Sequence, residues 1–504
     1  MTEVSSSLHG KMARGAAWMV LLNVVERALG LISMVVLARV LAPTDFGVVA
    51  MAGTLISMAQ MLSAFGFDVA LIQNQRATES HYHTAWTLNL LLGLLILLLM
   101  WALAGPIATY FNQPEVFWVV CVLAFGPLIG GCENIGVVAF RKDLHFQKEF
   151  SFQISRKLIG FAVTIPLALW FRSYWALVTG MLAARLAGTI TSYLVHPFRP
   201  HLSLHHAASL FGFSRWLLLN NIVGYLKERT SDFVIGRQIG AAGLGVYNIS
   251  YEVALMPSSE LSAPINRALL PGFASMVSDP DTMRKAYLDA MGVLMLVAVP
   301  AAAGIYVVAP YLVPVVLGPK WLASVPLMEI LALNGGLLVL HSSICTVLIS
   351  SGHPDQVTKA NGLYVVILLM MFGLLVPHFG LSGAAFAALG TSILSTPFYL
   401  FQVRRLVGVP IYGFLRALAR PLVAALVMSG LVRWIVPEWS PVMNMATSIG
   451  WLTVEIALGI AIYSGTVALL WLAARRPVGA ERVILKRAQQ RFLRGAIRPA
   501  STRS

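Results

Sequence analysis

Apolar runs long enough to cross a bilayer follow one another almost without interruption from Ala16 to Ala474. About 20 apolar residues carry an α-helix across the hydrocarbon layer, whereas a barrel strand needs only about 10. Runs of this length exclude a β-barrel, and the backbone groups they place in lipid must be paired within helices. Composition agrees: 58% of the 504 residues are hydrophobic and 11% charged, with mean hydropathy +0.77, against roughly 25% charged in a soluble domain. The expected fold class is an all-α integral membrane protein. Cutting the runs at Pro, Gly and polar clusters predicts about 14 transmembrane helices. Their predicted ranges are 14–40, 46–71, 84–109, 115–140, 149–171, 174–196, 212–238, 243–271, 284–309, 321–350, 357–378, 380–404, 412–436 and 442–474. No soluble domain is expected between them.

The N-terminal stretch MTEVSSSLHGKMARGAAW lacks a short apolar core followed by a small-residue cleavage site, so the first span is expected to be retained. Cys121, Cys132 and Cys345 fall inside predicted spans without metal-like spacing and read as packing residues. Orientation follows from the basic residues, which cytoplasmic loops retain. With the N-terminus inside, the inner segments hold Lys11, Arg14, Arg76, Arg141, Lys142, Lys148, Arg199, Arg284, Lys285, Lys359, Arg404, Arg405 and Arg416, and the tail adds nine more. The outer loops hold Arg172, Lys320 and Arg433. Both termini are therefore expected in the cytoplasm, with an even number of spans. The net charge of +15 has the distribution that this bias alone produces, so no nucleic-acid partner is expected. In the tail, AERVILKRAQQRFLR puts Ile484, Leu485, Ala488 and Phe492 on one helical face, a pattern that suits the anionic inner leaflet.

The chain also matches itself without a gap. Residues 18–71 align with 216–269: Trp18 with Trp216, Asn23 with Asn221, Val36 with Val234, Arg39 with Arg237, Gly47 with Gly245 and Leu71 with Leu269, always 198 apart. That offset equals six spans. An even number returns the chain to the same side, so the halves are expected to be parallel repeats about an axis along the membrane normal. The predicted organisation is a six-helix lobe over 1–205, a second over 206–410, two further helices over 411–474 and a basic tail over 475–504. Paired lobes enclose a cleft, and rocking them gives alternating access.

Several stretches carry a family resemblance: LARVLAPTDFGVVAM paired with IGRQIGAAGLGVYNISYEVALMP, then PINRALLPGFASM and KWLASVPLMEILAL, with YWALVTG after the fifth span. In this order they resemble the bacterial polysaccharide-transport branch of the multidrug/oligosaccharidyl-lipid/polysaccharide exporter (MOP) superfamily, the Wzx-type lipid-linked oligosaccharide flippases. The similarity runs from Ala13 to about Arg405. It implies a V-shaped, MATE-like fold of 14 helices. It implies a transporter that moves undecaprenyl-pyrophosphate-linked repeat units from the cytoplasmic to the periplasmic leaflet, for exopolysaccharide, capsule or O-antigen (lipopolysaccharide) synthesis. It also implies an H+ or Na+ gradient in place of a cofactor, and a polysaccharide polymerase and other assembly proteins as partners alongside membrane lipids.

Charges inside the spans are the candidate site, because an ionised side chain at the bilayer centre costs about 2.5 to 3.5 kcal/mol on insertion scales and needs water or a partner. At 100° per residue, Asn23, Glu26, Arg27, Gly30 and Ser33 share a stripe roughly 120° wide on the first span. Its repeat partner, the seventh span, clusters Asn220, Asn221, Gly224, Tyr225, Lys227, Glu228, Ser231 and Asp232, with Arg229 at the edge. Arg156, Lys157 and Arg185 lie in spans five and six. Across the first lobe Arg27, Arg39, Arg156, Lys157 and Arg185 outnumber Glu26, Asp68 and Glu133, an excess suited to an anionic cargo. Arginine forks match phosphate oxygens and stay ionised. The expected cargo residues are Asn23, Arg27, Arg156, Arg185, Asn221, Lys227 and Arg229. The plainer reading makes Glu26 with Arg27, and Arg229 with Asp232, local neutralising pairs, and has Arg39, Arg237, Arg156 and Lys157 reaching for headgroups.

Ion coupling requires a carboxylate that changes protonation or ligates Na+; Glu26, Asp232, Glu252 and Glu260 are the candidates. The last two stand equally well as partners for backbone freed at Pro257 and Pro264. His201, His205 and His206 in HLSLHH have helical metal spacing but no nearby Cys or carboxylate, so an interfacial loop is expected there and no metal. The rival functions are a cation-coupled drug exporter, which calls for the opposite charge excess, and a membrane polysaccharide polymerase. The outer loops LAPTD, NQPE and GAAG are too short for a polymerase, and no nucleophile–base constellation is present. No enzyme activity is expected. A mere scaffold for an assembly complex has no need of aligned polar helix faces.

Overall fold

The computed structural model describes residues 2–474 except 64–66, 68–70, 73, 75–76, 144 and 208–214, and omits the side chains of 2–14, 16, 62–63, 215–220 and 411. The predicted tail and Asp68 lie outside the described residues, as do the side chains of Trp216 and Asn220. Every regular element is helical: α1 (Thr2–Val40), α2 (Pro43–Ser63), α3 (Glu79–Phe111), α4 (Glu115–Leu123), α5 (Phe125–Gly131), α6 (Val138–Lys142), α7 (Phe146–Phe171), α8 (Trp175–Val195), α9 (Arg215–Gln238), α10 (Ala241–Ser275), α11 (Pro280–Leu312), α12 (Ser324–Ser350), α13 (Pro354–Val407), α14 (Ile411–Ile435) and α15 (Met445–Ala473). Among the described residues nine helices are long and apolar enough to cross a membrane, or ten when a bent pair counts as one span. The 54-residue α13 contains two predicted spans, separated by a break at Gly380 with φ 56°. Each of the 14 expected spans corresponds to a helical segment.

One expected span is not continuous. Residues 115–131 and 135–142 meet at a bend of 64°, so the reading of 115–140 as a single rod is corrected. The physical reason lies in the sequence GGCEN: two glycines lower helix propensity, and the Asn134 side chain captures the Gly136 amide at 3.0 Å, an alternative to the helical bond.

The chain packs as two compact units, Met1–Val246 and Tyr247–Ser504. In the first, α7 and α8 form a hairpin, α1 lies along α7, α3 packs on α4 and α5, and α2 contacts α4 and α9. Leu37, Leu41, Ala168 and Ala176 bury one end of this unit. Asp45, in the first turn of α2, accepts the Ala42 amide at 2.8 Å and the Tyr174 amide at 3.0 Å. A second core, built on Phe67, Leu71, Ala85, Leu88, Ile135 and Val138, lies beside the broken span.

In the second unit α11 packs on α12 and α14, α12 on α13, and α14 on α15. Two prolines explain how the last two helices dock. A helical proline leaves the carbonyl four residues earlier without its amide donor, here Leu296 for Pro300 and Tyr306 for Pro310. The Tyr463 hydroxyl of α15 donates to the Leu296 carbonyl at 2.9 Å, and Arg433 of α14 donates to the Tyr306 carbonyl at 3.4 Å. α14 and α15 are thus fastened to α11 at the places where α11 exposes its own backbone.

A basic cavity at the broken span

The bend between α5 and α6 exposes backbone at membrane depth, which is tolerated only where protein or a wet cavity satisfies it. α8 supplies most of the partners. Thr189 donates to the Ile129 carbonyl at 2.8 Å, Tyr193 to the Cys132 carbonyl at 3.0 Å, and Ser192 accepts the Asn134 amide at 2.9 Å. Asn134 is fully buried and its amide group reaches the Phe198 carbonyl at 2.7 Å.

Beside this break is a cavity of about 320 Å³ lined by Gln60, Asn89, Glu133, Asn134, Arg156 and Arg185 among others. On the scale of about 30 Å³ per water it has room for on the order of ten waters. Arg156 on α7, Arg185 on α8 and Asn89 on α3 each lie about ten residues from the helix end nearest the 141–148 segment. At 1.5 Å per residue that is a depth of roughly 15 Å, about half the hydrocarbon thickness. Arg156 meets Glu133 at 3.7 Å and lies over the Phe152 ring. Two guanidinium groups, one carboxylate and the side-chain amides of Gln60 and Asn89 line the cavity.

The structure therefore joins two predicted cargo residues, Arg156 and Arg185, and separates them from the others. Lys157 is exposed on α7. On α1, Arg27 and Gly30 are exposed, while Asn23, Glu26 and Ser33 are half-buried. None of them lines this cavity. Neighbours in sequence, Glu26 and Arg27 point about 100° apart around the helix. On α9 the polar face is divided. Asp232 is buried at 3% exposure, accepting from Thr54 at 2.8 Å and pairing with Arg229 at 3.2 Å. Tyr225 donates to the Thr54 carbonyl at 2.6 Å. Both residues thus fasten α9 to α2. Asn221 and Lys227 are half-buried nearby in sequence. Arg237 donates to the Tyr110 carbonyl at 2.7 Å and lies over the Tyr110 ring, and Arg39 is exposed. Glu252 is exposed and Glu260 half-buried on α10, in the second unit. α10 runs unbroken through Pro257, Pro264 and Pro271, so no helix break occurs there, while each proline still leaves the carbonyl four residues earlier without its amide donor.

Among the described residues no group of three metal-ligating side chains is present. The histidines of HLSLHH instead join the segment 196–207 to the first turns of α3. His201 stacks on His83 and His206 on His81, with ring centroids 3.4 and 3.8 Å apart. The His201 amide donates to His83 Nδ1 at 3.1 Å and the Ser203 amide to Thr87 at 2.9 Å. At the root of this clasp, burial and then the charges of Lys148 and Arg199 hold the His196 imidazole below its ordinary pKa.

Sequence reading missed Gln60, Asn89 and the chain break as parts of the cavity. The glycine pair beside Glu133 and Asn134 inside an apolar run was the available signal. It also passed over Glu455, one carboxylate in the otherwise uncharged apolar run of α15.

A multi-pass chain, all-helical among the described residues, with a broken span beside a charged intramembrane cavity defines a membrane transporter. Residues 36–326 match the family model described as "Polysaccharide biosynthesis protein", and the chain belongs to that family, the polysaccharide-transport branch of the MOP superfamily. It is 29% identical over 363 residues to lipopolysaccharide biosynthesis protein WzxC of Escherichia coli (strain K12), covering 70% of this chain and 73% of that protein. It is 23% identical to succinoglycan biosynthesis transport protein ExoT of Rhizobium meliloti (strain 1021), covering 91% and 93%. Among solved structures, the lipid II flippase MurJ in an inward closed conformation superposes with a TM-score of 0.75 at 11% identity, covering 91% of this chain and 99% of that one. That likeness establishes the fold.

Proposed function

We propose that this protein is a flippase for lipid-linked oligosaccharide repeat units, and that the basic cavity of the first unit receives the pyrophosphate part of the cargo. The observation that carries the reading is the pair Arg156 and Arg185 in one polar cavity at about mid-membrane depth. Two fixed guanidinium forks there offer paired donors to phosphate oxygens, and their charge is affordable only because cavity water, Glu133 or an anion offsets it. The names of the relatives, in lipopolysaccharide and succinoglycan biosynthesis, support the cargo class. The function is transport, without covalent change to the cargo. A cation-drug exporter fits less well, since the cavity's net charge repels its substrate.

In this reading the repeat units move from the cytoplasmic to the periplasmic leaflet of a bacterial inner membrane, with both termini cytoplasmic, and a cation gradient drives the cycle. Arg27, Asn23, Asn221, Lys227 and Arg229 then serve the cargo outside this cavity. The lobes 1–205 and 206–410, followed by helices over 411–474, form a duplicated fold. One contact supports the duplication: a Cβ at Gly47 would overlap the Ala241 carbonyl, and one at Gly245 would overlap the Pro43 carbonyl. The two contacts exchange under the 198-residue offset, which carries Gly47 to Gly245 and Pro43 to Ala241.

Reconstitution with a fluorescent lipid-linked sugar tests the function. Transfer between leaflets without a new glycosidic bond is expected. Arg27→Gln and Lys227→Gln are expected to lower it with insertion intact. Bond formation, or uptake of a cationic dye in place of the sugar lipid, would refute the assignment.

A further inference from the structure

Glu455 lies about ten residues into α15, hence roughly 15 Å from that helix end. It is 6% exposed, and its Oε2 has no hydrogen-bond partner among the described residues. It opens on a cavity of about 380 Å³ whose other walls include Pro257, Pro300, Gly304, Met428 and Tyr463. These walls are almost wholly apolar.

The ionisable groups around it are committed elsewhere. On α14, Arg433 is paired with Glu329 of α12 at 2.5 Å and lies over the Tyr306 ring at 4.2 Å. On α11, Tyr311 donates to the Pro437 carbonyl at 2.9 Å. On α15 itself, Tyr463 donates to the Leu296 carbonyl. α10 brings only Pro257 to this cavity. An ionised carboxylate with a bare oxygen against apolar walls is very costly, while the neutral acid costs no more than a buried hydroxyl. The group is therefore stable here with its proton on.

The same cavity lies at the joint where α14 and α15 fasten to the proline-exposed carbonyls of α11. If Tyr463 leaves Leu296, or Arg433 leaves Glu329, water or a cation reaches Glu455 and the charged form becomes tolerable. We propose that Glu455 is a proton-binding site that is loaded while α15 is docked on α11 and unloaded when that joint opens. The step is simple: the carboxyl O–H bond breaks, the proton passes to entering water, and the carboxylate is left facing Arg433. Its use in driving a cycle rests on the transport reading above; the proton site itself does not.

The test uses full-length protein in proteoliposomes and the apolar reagent dicyclohexylcarbodiimide, which attacks protonated carboxyls reachable from lipid. Peptide mass spectrometry is expected to find an adduct on Glu455 whose yield falls as pH rises, and none on that peptide in Glu455→Gln. No adduct at any pH, or a yield indifferent to pH, overturns the proposal. With a fluorescent lipid-linked sugar and an imposed pH gradient, Glu455→Gln is expected to lose the gradient's stimulation of transport, and Glu455→Asp to restore it with a displaced pH profile. Full stimulation in Glu455→Gln overturns the coupling role. Should the wild type move no sugar lipid while labelling still follows pH, the cargo assignment fails and the proton site is upheld.

Discussion

Arg156 and Arg185 are three helical turns deep, yet they differ in what they have to lose. Arg156 has Glu133 at 3.7 Å, whereas Arg185 has its guanidinium beside Gly130 in the cavity wall. Arg185→Gln is therefore expected to reduce transport of a pyrophosphate-linked cargo at least tenfold in proteoliposomes, the scale of about 1.5 to 3 kcal/mol for a lost hydrogen bond to a charged group. Arg156→Gln is expected to cost less in the Glu133→Gln background than alone, because the second change removes the carboxylate left without its cation. Equal costs in both backgrounds would show that the pair is not coupled. At this scale the sequence was legible in kind and illegible in grouping. A charge inside an apolar run is visible from one chain, but that Arg156 and Arg185 share a cavity while Arg27 does not depends on which way α1, α7 and α8 turn against one another.

At the level of helices, the joint between α11 and α15 makes a separable forecast. Tyr463→Phe removes the donor to the Leu296 carbonyl and is expected to lower stability in detergent by about 1 kcal/mol. In Pro300→Ala the helix regains its own amide donor, so the same Tyr463→Phe change is expected to cost measurably less; thermal unfolding of the four proteins measures the coupling. The histidine clasp yields a pH forecast. His196 titrates below its ordinary value of 6.5 in the closed segment, so the opened segment binds protons first. The clasp is at full strength above pH 6.5 and weakens as pH falls through that value toward the depressed one. After correction for the pH dependence of intrinsic exchange, protection of the 199–207 amides is expected to fall between pH 7 and pH 5, with a smaller fall in His196→Phe. Helix positions were readable because apolar length and proline or glycine punctuation are local properties. The bend after Gly131 was not, because it depends on Ser192, Thr189 and Tyr193 of another helix accepting responsibility for the exposed backbone. Nor was the pairing of His83 with His201, more than a hundred residues apart.

For the molecule as a whole, the internal repeat is the feature with the widest reach. If duplicated halves meet through equivalent residues, equivalent substitutions must do equivalent harm. Gly47→Val and Gly245→Val each push a side chain into a partner carbonyl, and both are expected to cut folded yield by similar factors, whereas Gly224→Val, which meets open space, is expected to be mild. Fluorescence-detected chromatography of tagged variants reads this directly. Strongly unequal effects at Gly47 and Gly245 would argue that the repeat survives in sequence without its structural meaning. The span count and the family were available from the chain alone, because they rest on patterns extended over hundreds of residues. Gly380 has a consequence of a different sort. The two arms of α13 are cross-linked by Tyr399 on Asn361 at 3.0 Å and by Gln402 on Gln356 at 3.3 Å, and they turn at that single glycine with no slack chain between them. A protease needs a loose strand to thread and an antibody a knuckle to grasp; this hairpin offers neither, so digestion and epitope mapping should pass over its tip in silence.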